Sequence, residues 1–213
     1  ENGRWVAFTF GEWSATITYT LGKYLQLMVW PHPLSHDYYP RHIGIMTWSD
    51  PTVWVSLAAN LGLLSLGLWG SWKRTAWGFG LLFYFITLSI VSNIVFPIGT
   101  NMSERFLYMP SLGLCLAAAA GLYHLLARKG KSPSISQLQK ALPGVLLVIL
   151  ALAVLTFQRN RVWKDNFTLF TTDVKTAPNS AKLRNSAGGV LSSCKRSNIV
   201  ESSCAILDQS IAD

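Results

Sequence analysis

Charge is what this chain has least of. Only 13% of its 213 residues are Asp, Glu, Lys or Arg, about half the roughly 25% of a soluble domain. The deficit excludes an ordinary water-soluble globule, and the hydrophobic half of the composition excludes a disordered chain. Acidic residues are the scarcer sign, ten against eighteen Lys and Arg. The resulting balance of +8 would suit a soluble nucleic-acid binder only if the cations shared one surface, and they lie instead between long apolar runs. Three cysteines are too few for a disulfide-stapled secreted module. Residues 1–11 have neither a basic start nor an apolar core, so no signal peptide is written there. The first residue is Glu1 rather than Met, as in a piece of a longer protein. No Gly-rich phosphate loop, Ser-centred nucleophile elbow or paired catalytic carboxylates can be found.

What is present is length without charge. Uncharged stretches run over 51–72, 75–103, 106–127 and 141–158, each long enough for the roughly 17 to 25 residues that cross a bilayer as a helix. The expected fold is all-α, with polytopic membrane helices over about 51–72, 75–96, 111–127 and 141–158 in a membrane domain of residues 1–158. The links between spans carry Lys73 and Arg74, then Arg128, Lys129, Lys131 and Lys140, without an acidic residue. The positive-inside rule makes these links cytoplasmic and places all ten acidic residues, with the tail 159–213, on the opposite side. Segment 13–30 carries Ile17, Leu21, Tyr24, Leu25 and Met28 on one helical face and Thr16, Thr20, Lys23 and Gln26 on the other. That pattern favours a helix lying in the interface over a spanning one, with the second reading left open. Gly62, Gly67, Gly70, Gly78 and Gly80 offer close helix approach.

The outer face gathers the residues that could carry chemistry. Loop 31–51 holds four prolines and three histidines, a density of proline that forbids a helix. In it His32 and His36 accompany Asp37, while Glu104 and Arg105 occupy the turn at 97–110. Ionisable groups beside hydrocarbon mark function or an internal pair, so two readings of Glu104 and Arg105 stand. They form a structural ion pair, or Arg105 grips a phosphate with its planar fork of donors while Glu104 holds the guanidinium or a sugar hydroxyl. The spacing of His32, His36 and His42 is no metal-ligand pattern, and no metal is expected. Asn101-Met102-Ser103 and Asn166-Phe167-Thr168 match the N-glycosylation pattern in a eukaryotic source. Cys194 and Cys204 fall in the exported tail, where a disulfide is permitted and left open.

In the tail, Trp163, Phe167, Leu169 and Phe170 suit an amphipathic helix ended at Ala177-Pro178-Asn179, and Ala181, Leu183, Ala187 and Leu191 suit a second. A pair of this kind is how a tetratricopeptide array begins. About one unit fits, and one unit cannot bury its own apolar face.

The runs WPHPLSHDY (Trp30–Tyr38), NIVFPIGTNMSERFLYMPSLGLC (Asn93–Cys115) and RNRVWKDNFTLFTTDVKTAPNSAKLRNSAG (Arg159–Gly188) resemble, in the same order, the transmembrane and tetratricopeptide-repeat family. Its characterised animal members are protein O-mannosyltransferases of the endoplasmic reticulum acting on cadherins. The FPIGT block looks more like bacterial members. The resemblance implies a multi-span, GT-C-like glycosyltransferase fold. It would use a polyprenyl-phosphate sugar as donor and an exported protein as acceptor, with no cofactor in this piece and no nucleic-acid partner. It further implies a multi-pass protein of the bacterial inner membrane rather than of the endoplasmic reticulum, its tail periplasmic or lumenal. Glu104, Arg105 and Tyr108 match the family's ER-x-x-Y block, and Asp37 matches its Asp-Tyr block, with His36 beside it. The principal catalytic base is expected in a first outer loop that this stretch does not contain, so the piece alone is expected to be inactive. A non-catalytic membrane anchor displaying a repeat array is the alternative.

Overall fold

The computed structural model describes residues 9–35, 38, 43–94, 102–127 and 133–196. His36, Asp37, His42, the FPIGT block, Asn101, Arg128, Lys129, Lys131, Cys204 and the Cys194 side chain lie outside these residues. All regular structure among the described residues is helical: α1 (Phe10–Val29), α2 (Pro51–Trp72), α3 (Ala76–Val91), a single 3-10 turn (Glu104–Leu107), α4 (Tyr108–Leu126), α5 (Ile135–Val162), α6 (Asn166–Thr176) and α7 (Ala181–Arg196). Three stretches are long and apolar enough to cross a membrane, Pro51–Trp72, Glu104–Leu126 and Ile135–Val162, and α3 is a shorter apolar helix. The chain forms two compact units, residues 1–30 with 44–137 and residues 31–43 with 138–213.

In the first unit the helix ends follow from local chemistry. At the start of α1, Thr9 Oγ1 accepts from the Glu12 N–H at 3.3 Å while the Thr9 N–H donates to Glu12 Oε2 at 3.0 Å, a reciprocal capping box. Hydrogen bonding to Thr9 holds the Glu12 carboxyl below its ordinary pKa. Pro51 opens α2, where its missing N–H costs nothing. Pro110 sits third in α4 for the same reason, so this helix starts at Tyr108 rather than at the expected 111. The α2–α3 turn is tight: Arg74 takes φ 53°, and Thr75 Oγ1 donates to the Gly70 carbonyl at 2.8 Å while accepting from the Gly78 N–H at 3.3 Å. Lys73 Nζ rests 4.6 Å from the Trp69 ring centroid.

Glycine brings these helices together. A Cβ on Gly80 would come within 2.6 Å of the Gly113 carbonyl oxygen, and one on Gly113 equally close to the Gly80 oxygen. The α3 and α4 backbones therefore touch, in the small-residue packing that membrane helices use in place of a hydrophobic drive. Gly78 lies on the backbone of Gly70 and Ser71, and Gly67 against Leu81. Gly62, by contrast, faces open space. The pairings 67 with 81, 80 with 117 and 84 with 113 make α2, α3 and α4 run up, down and up, so α2 and α4 begin at the same end of the unit.

Helix α1 turns its hydroxyls inward. Thr16, Thr20 and Tyr24 are buried, whereas Phe10, Trp13 and Val29 are exposed. Thr16 Oγ1 accepts from the Met46 N–H at 3.0 Å and Ser14 Oγ from Trp48 Nε1–H at 3.1 Å, which fastens α1 beside the start of α2.

Helix α5 begins six residues earlier than the expected 141, because the charge of Lys140 bounds the uncharged stretch and not the helix, and Pro143 does not stop it. None of its apolar window is buried. Helices α6 and α7 fold against each other over Val174, Ala177, Leu183 and Ala187, with Phe170 alongside. Asp165 caps α6 by accepting from the Thr168 N–H at 2.7 Å. That bond, seconded by one to the Thr168 side chain, holds the Asp165 carboxyl below its ordinary pKa.

Candidate functional site

The Glu104–Tyr108 block sits where the chain enters α4. Before it, Met102 and Ser103 are buried, and the Ser103 N–H donates to Tyr24 Oη at 3.3 Å. Tyr24 is wholly buried. This bond ties the entry of α4 to α1, at the end of the unit where α2 also begins. Leu107 points inward, and a helical turn then forces its neighbours outward.

Glu104, Arg105 and Tyr108 accordingly share one turn. Glu104 is half-buried, while Arg105 and Tyr108 are exposed, Tyr108 by 81%. The Arg105 guanidinium lies 5.6 Å from the Phe106 ring centroid and makes no ion pair among the described residues. A flat ring under a guanidinium orients the fork without consuming its donors. The turn can therefore present two or more N–H groups to an anion at the membrane face, with the Tyr108 hydroxyl within the same turn. His36 and Asp37 lie outside the described residues. Among the described residues no group of three His, Cys, Asp or Glu gathers closely enough to hold a metal.

The second unit contains polar chemistry that the sequence reading passed over. Arg159, at the end of α5, donates from Nη1 and Nη2 to the two carboxylate oxygens of Asp173 at 2.6 and 2.9 Å. Asp173 is fully buried and the Arg159 side chain is 15% exposed. A paired charge is what makes such burial tolerable. The signal was available: Asp173 falls on the same helical stripe as Leu169, Phe170, Val174 and Ala177, a place where a carboxylate needs a cation. His32 lines a cleft beside this pair.

Known proteins resemble this chain over most of its length. Human protein O-mannosyl-transferase TMTC1 is 30% identical over 181 residues, which cover 79% of this chain and 19% of the relative. Over that stretch the chain is a homologue of the TMTC proteins. Mouse TMTC1 is 29% identical over 178 residues, covering 79% of the chain and 18% of the relative. Drosophila Tmtc3 reaches 38% over 100 residues, covering 47% and 10%. The chain thus spans about a fifth of the length of the TMTC1 relatives it matches. These relatives are animal proteins, whereas the FPIGT block pointed to bacterial members of the family. No family model matches the chain, and no solved structure does.

Proposed function

We propose that this chain is part of a multi-pass membrane glycosyltransferase that moves mannose from a polyprenyl phosphate onto Ser or Thr of an exported protein. Its tail and the Arg105 turn would lie on the lumenal or periplasmic side, since the basic links Lys73-Arg74 and 128–140 mark the cytoplasmic one. In the reaction the acceptor hydroxyl oxygen attacks the anomeric carbon with inversion as the phosphate departs with the bonding electron pair. A carboxylate elsewhere in the parent protein takes the hydroxyl proton. Arg105 offsets the charge that grows on the phosphate, and the Tyr108 hydroxyl in the same turn donates to the donor headgroup.

The observation that carries this reading is the exposed Arg105, set on a turn that the Tyr24–Ser103 bond fixes and bound to no carboxylate among the described residues. Similarity to enzymes named protein O-mannosyl-transferases supports the same reaction. The test is made in the full-length parent. Arg105→Lys keeps the charge and loses the fork, so turnover should fall by about 30- to 1000-fold, the equivalent of about 2 to 4 kcal/mol. Normal turnover in well-folded Arg105→Ala would end the phosphate role.

A second reading, a non-catalytic anchor presenting a tetratricopeptide array, draws on the α6–α7 pair with its shared core of Val174, Ala177, Leu183 and Ala187. A parent that binds partners through its tail yet transfers no sugar in a host lacking related enzymes would favour it.

A further inference from the structure

The link between α2 and α3, Lys73-Arg74-Thr75, is held by more bonds than its length requires. The Thr75 N–H and Oγ1–H both donate to the Gly70 carbonyl, at 2.9 and 2.8 Å, and the Arg74 N–H donates to the Ser71 carbonyl at 2.8 Å. Trp77 lies across the bare backbone of Gly70, where a Cβ would run into its ring, and its ring centroid is 5.8 Å from that of Trp69. Lys73 Nζ rests on the far side of this pair, 4.6 Å from the Trp69 centroid, and Trp72 is 87% exposed. Tryptophan settles at the level of lipid headgroups. The three rings therefore set the depth of this end of α2, with both cations at that level.

Arg74 is the unexpected residue. Its φ of 53° is a left-handed conformation that glycine adopts freely and a residue with a Cβ only under strain. A sequence chosen for the turn alone would carry Gly or Asn there. What Arg adds is a charge and a planar fork of donors, and it is exposed, as is Lys73 beside it. The described acidic residues of this unit, Glu12, Asp50 and Glu104, stand at the other end, where α2 and α4 begin. The 22 residues of α2 separate the two ends by about 33 Å, well beyond the roughly 8 to 10 Å over which exposed charges act in salt. Below Lys73, Trp69 and Leu66 follow on the same stripe of α2 and are half exposed. An apolar track thus leads up to a pair of cations, which matches an acyl chain ending in a negative headgroup.

We propose that the Lys73-Arg74 turn binds the headgroup phosphate of an anionic phospholipid, whose tail lies along Trp69 and Leu66. This lipid is a resident of the membrane and not a substrate, and it sits at the opposite end of the unit from Arg105, so the inference does not need the Arg105 reading. The test places the 213-residue chain in phosphatidylcholine nanodiscs containing a rising fraction of phosphatidylglycerol and counts retained lipid by native mass spectrometry. A cation beside an anionic headgroup is worth about fivefold in binding. A preference of roughly 25-fold for phosphatidylglycerol over phosphatidylcholine is expected for the pair, and Lys73→Gln/Arg74→Gln should abolish it. Lys164→Gln/Lys175→Gln removes the same charge from the exposed face of the tail and should leave the preference intact. Arg74→Gly relieves the turn while deleting the fork. Its thermal midpoint should be no lower than the parent's, yet its preference should fall about fivefold. Equal preference in Lys73→Gln/Arg74→Gln and the parent, equal losses in the two double variants, or an Arg74→Gly chain that holds phosphatidylglycerol as the parent does would overturn the proposal. Failure of the Arg105 reading would leave all of these outcomes untouched, because none depends on turnover.

Discussion

The helices of the first unit and the α6–α7 pair leave opposite kinds of residue outside. In the first unit Thr16, Thr20, Asn60 and a row of glycines are buried beside Leu27, Val53, Leu81 and Leu88, while Trp54, Leu61, Leu68 and Ile86 face out. In the α6–α7 pair the inside is again apolar, with Leu169, Val174, Leu183 and Ala187, but Lys175, Lys182 and Arg184 lie on the surface. Water rewards the second arrangement, since apolar area removed from solvent is the main favourable term. Lipid does not, because its tails are as apolar as leucine, so helices there associate through close backbone approach and internal hydrogen bonds. Sequence periodicity reports that a helix has two faces and leaves open which one turns inward. The solvent decides that.

The largest effect should come from the charge buried between α5 and α6. Asp173→Asn takes the buried carboxylate charge away from the Arg159 guanidinium and is expected to destabilise the tail by about 3 to 5 kcal/mol, read as a lower midpoint in thermal unfolding. Arg159→Met with Asp173→Leu should recover most of it. An unchanged midpoint in the single variant would mean that the pair is solvated in practice.

Next comes the outward face of α5. Ile149 is 56% exposed near the middle of the apolar stretch, and Ile149→Arg should cost about 2.5 to 3.5 kcal/mol of insertion in a microsomal assay. An equally exposed change in the tail, Lys182→Leu, should do nothing to insertion. Equal insertion of Ile149→Arg and the parent would break the contrast drawn between lipid-facing and water-facing helices.

The glycine contacts give a smaller and more selective effect. Gly80→Leu has no room against the α4 backbone and should lose about 1 to 3 kcal/mol, with reduced folded yield from detergent. A Cβ on Gly62 would meet nothing within 4 Å, so Gly62→Leu should be close to neutral. Similar yields for the two would show that α3 and α4 do not depend on backbone contact.

The smallest effect is a pH dependence at α6. The Asp165 carboxyl is held below its ordinary pKa of 3.8 by the Thr168 N–H, so its capping contribution is complete above that value and is lost as pH falls through the lower folded one. Hydrogen exchange at the Thr168 amide should accelerate only in strong acid relative to its intrinsic rate, and Asp165→Asn should remove that acid dependence. Loss of protection already at pH 6 would point to a different group.

Much of this architecture can be read from the residues alone. The apolar runs mark α2, α4 and α5, and Gly67, Gly70, Gly78 and Gly80 stand where helices meet. Gly113 escaped notice because one glycine in a span signals nothing until its partner, Gly80, is brought opposite. Gly62 misled for the converse reason. The block Glu104–Tyr108 was legible as a motif, but its anchor was not: Tyr24 lies 79 residues from Ser103, and only the packing of α1 joins them. Arg159 and Asp173 are 14 residues apart across a helix break, a separation that no helical period encodes.

The shortness of α3 has a consequence for depth. Its 16 residues reach about 24 Å at 1.5 Å per residue, less than the roughly 30 Å of the hydrocarbon layer. A helix too short for its bilayer draws the headgroups inward instead of leaving its ends in oil. Local thinning around α3 would sink the polar surface toward the α3–α4 side of the unit, where the chain passes Ser103 on its way to Arg105. A phosphate riding on a lipid tail would then meet the guanidinium without having to rise out of the membrane.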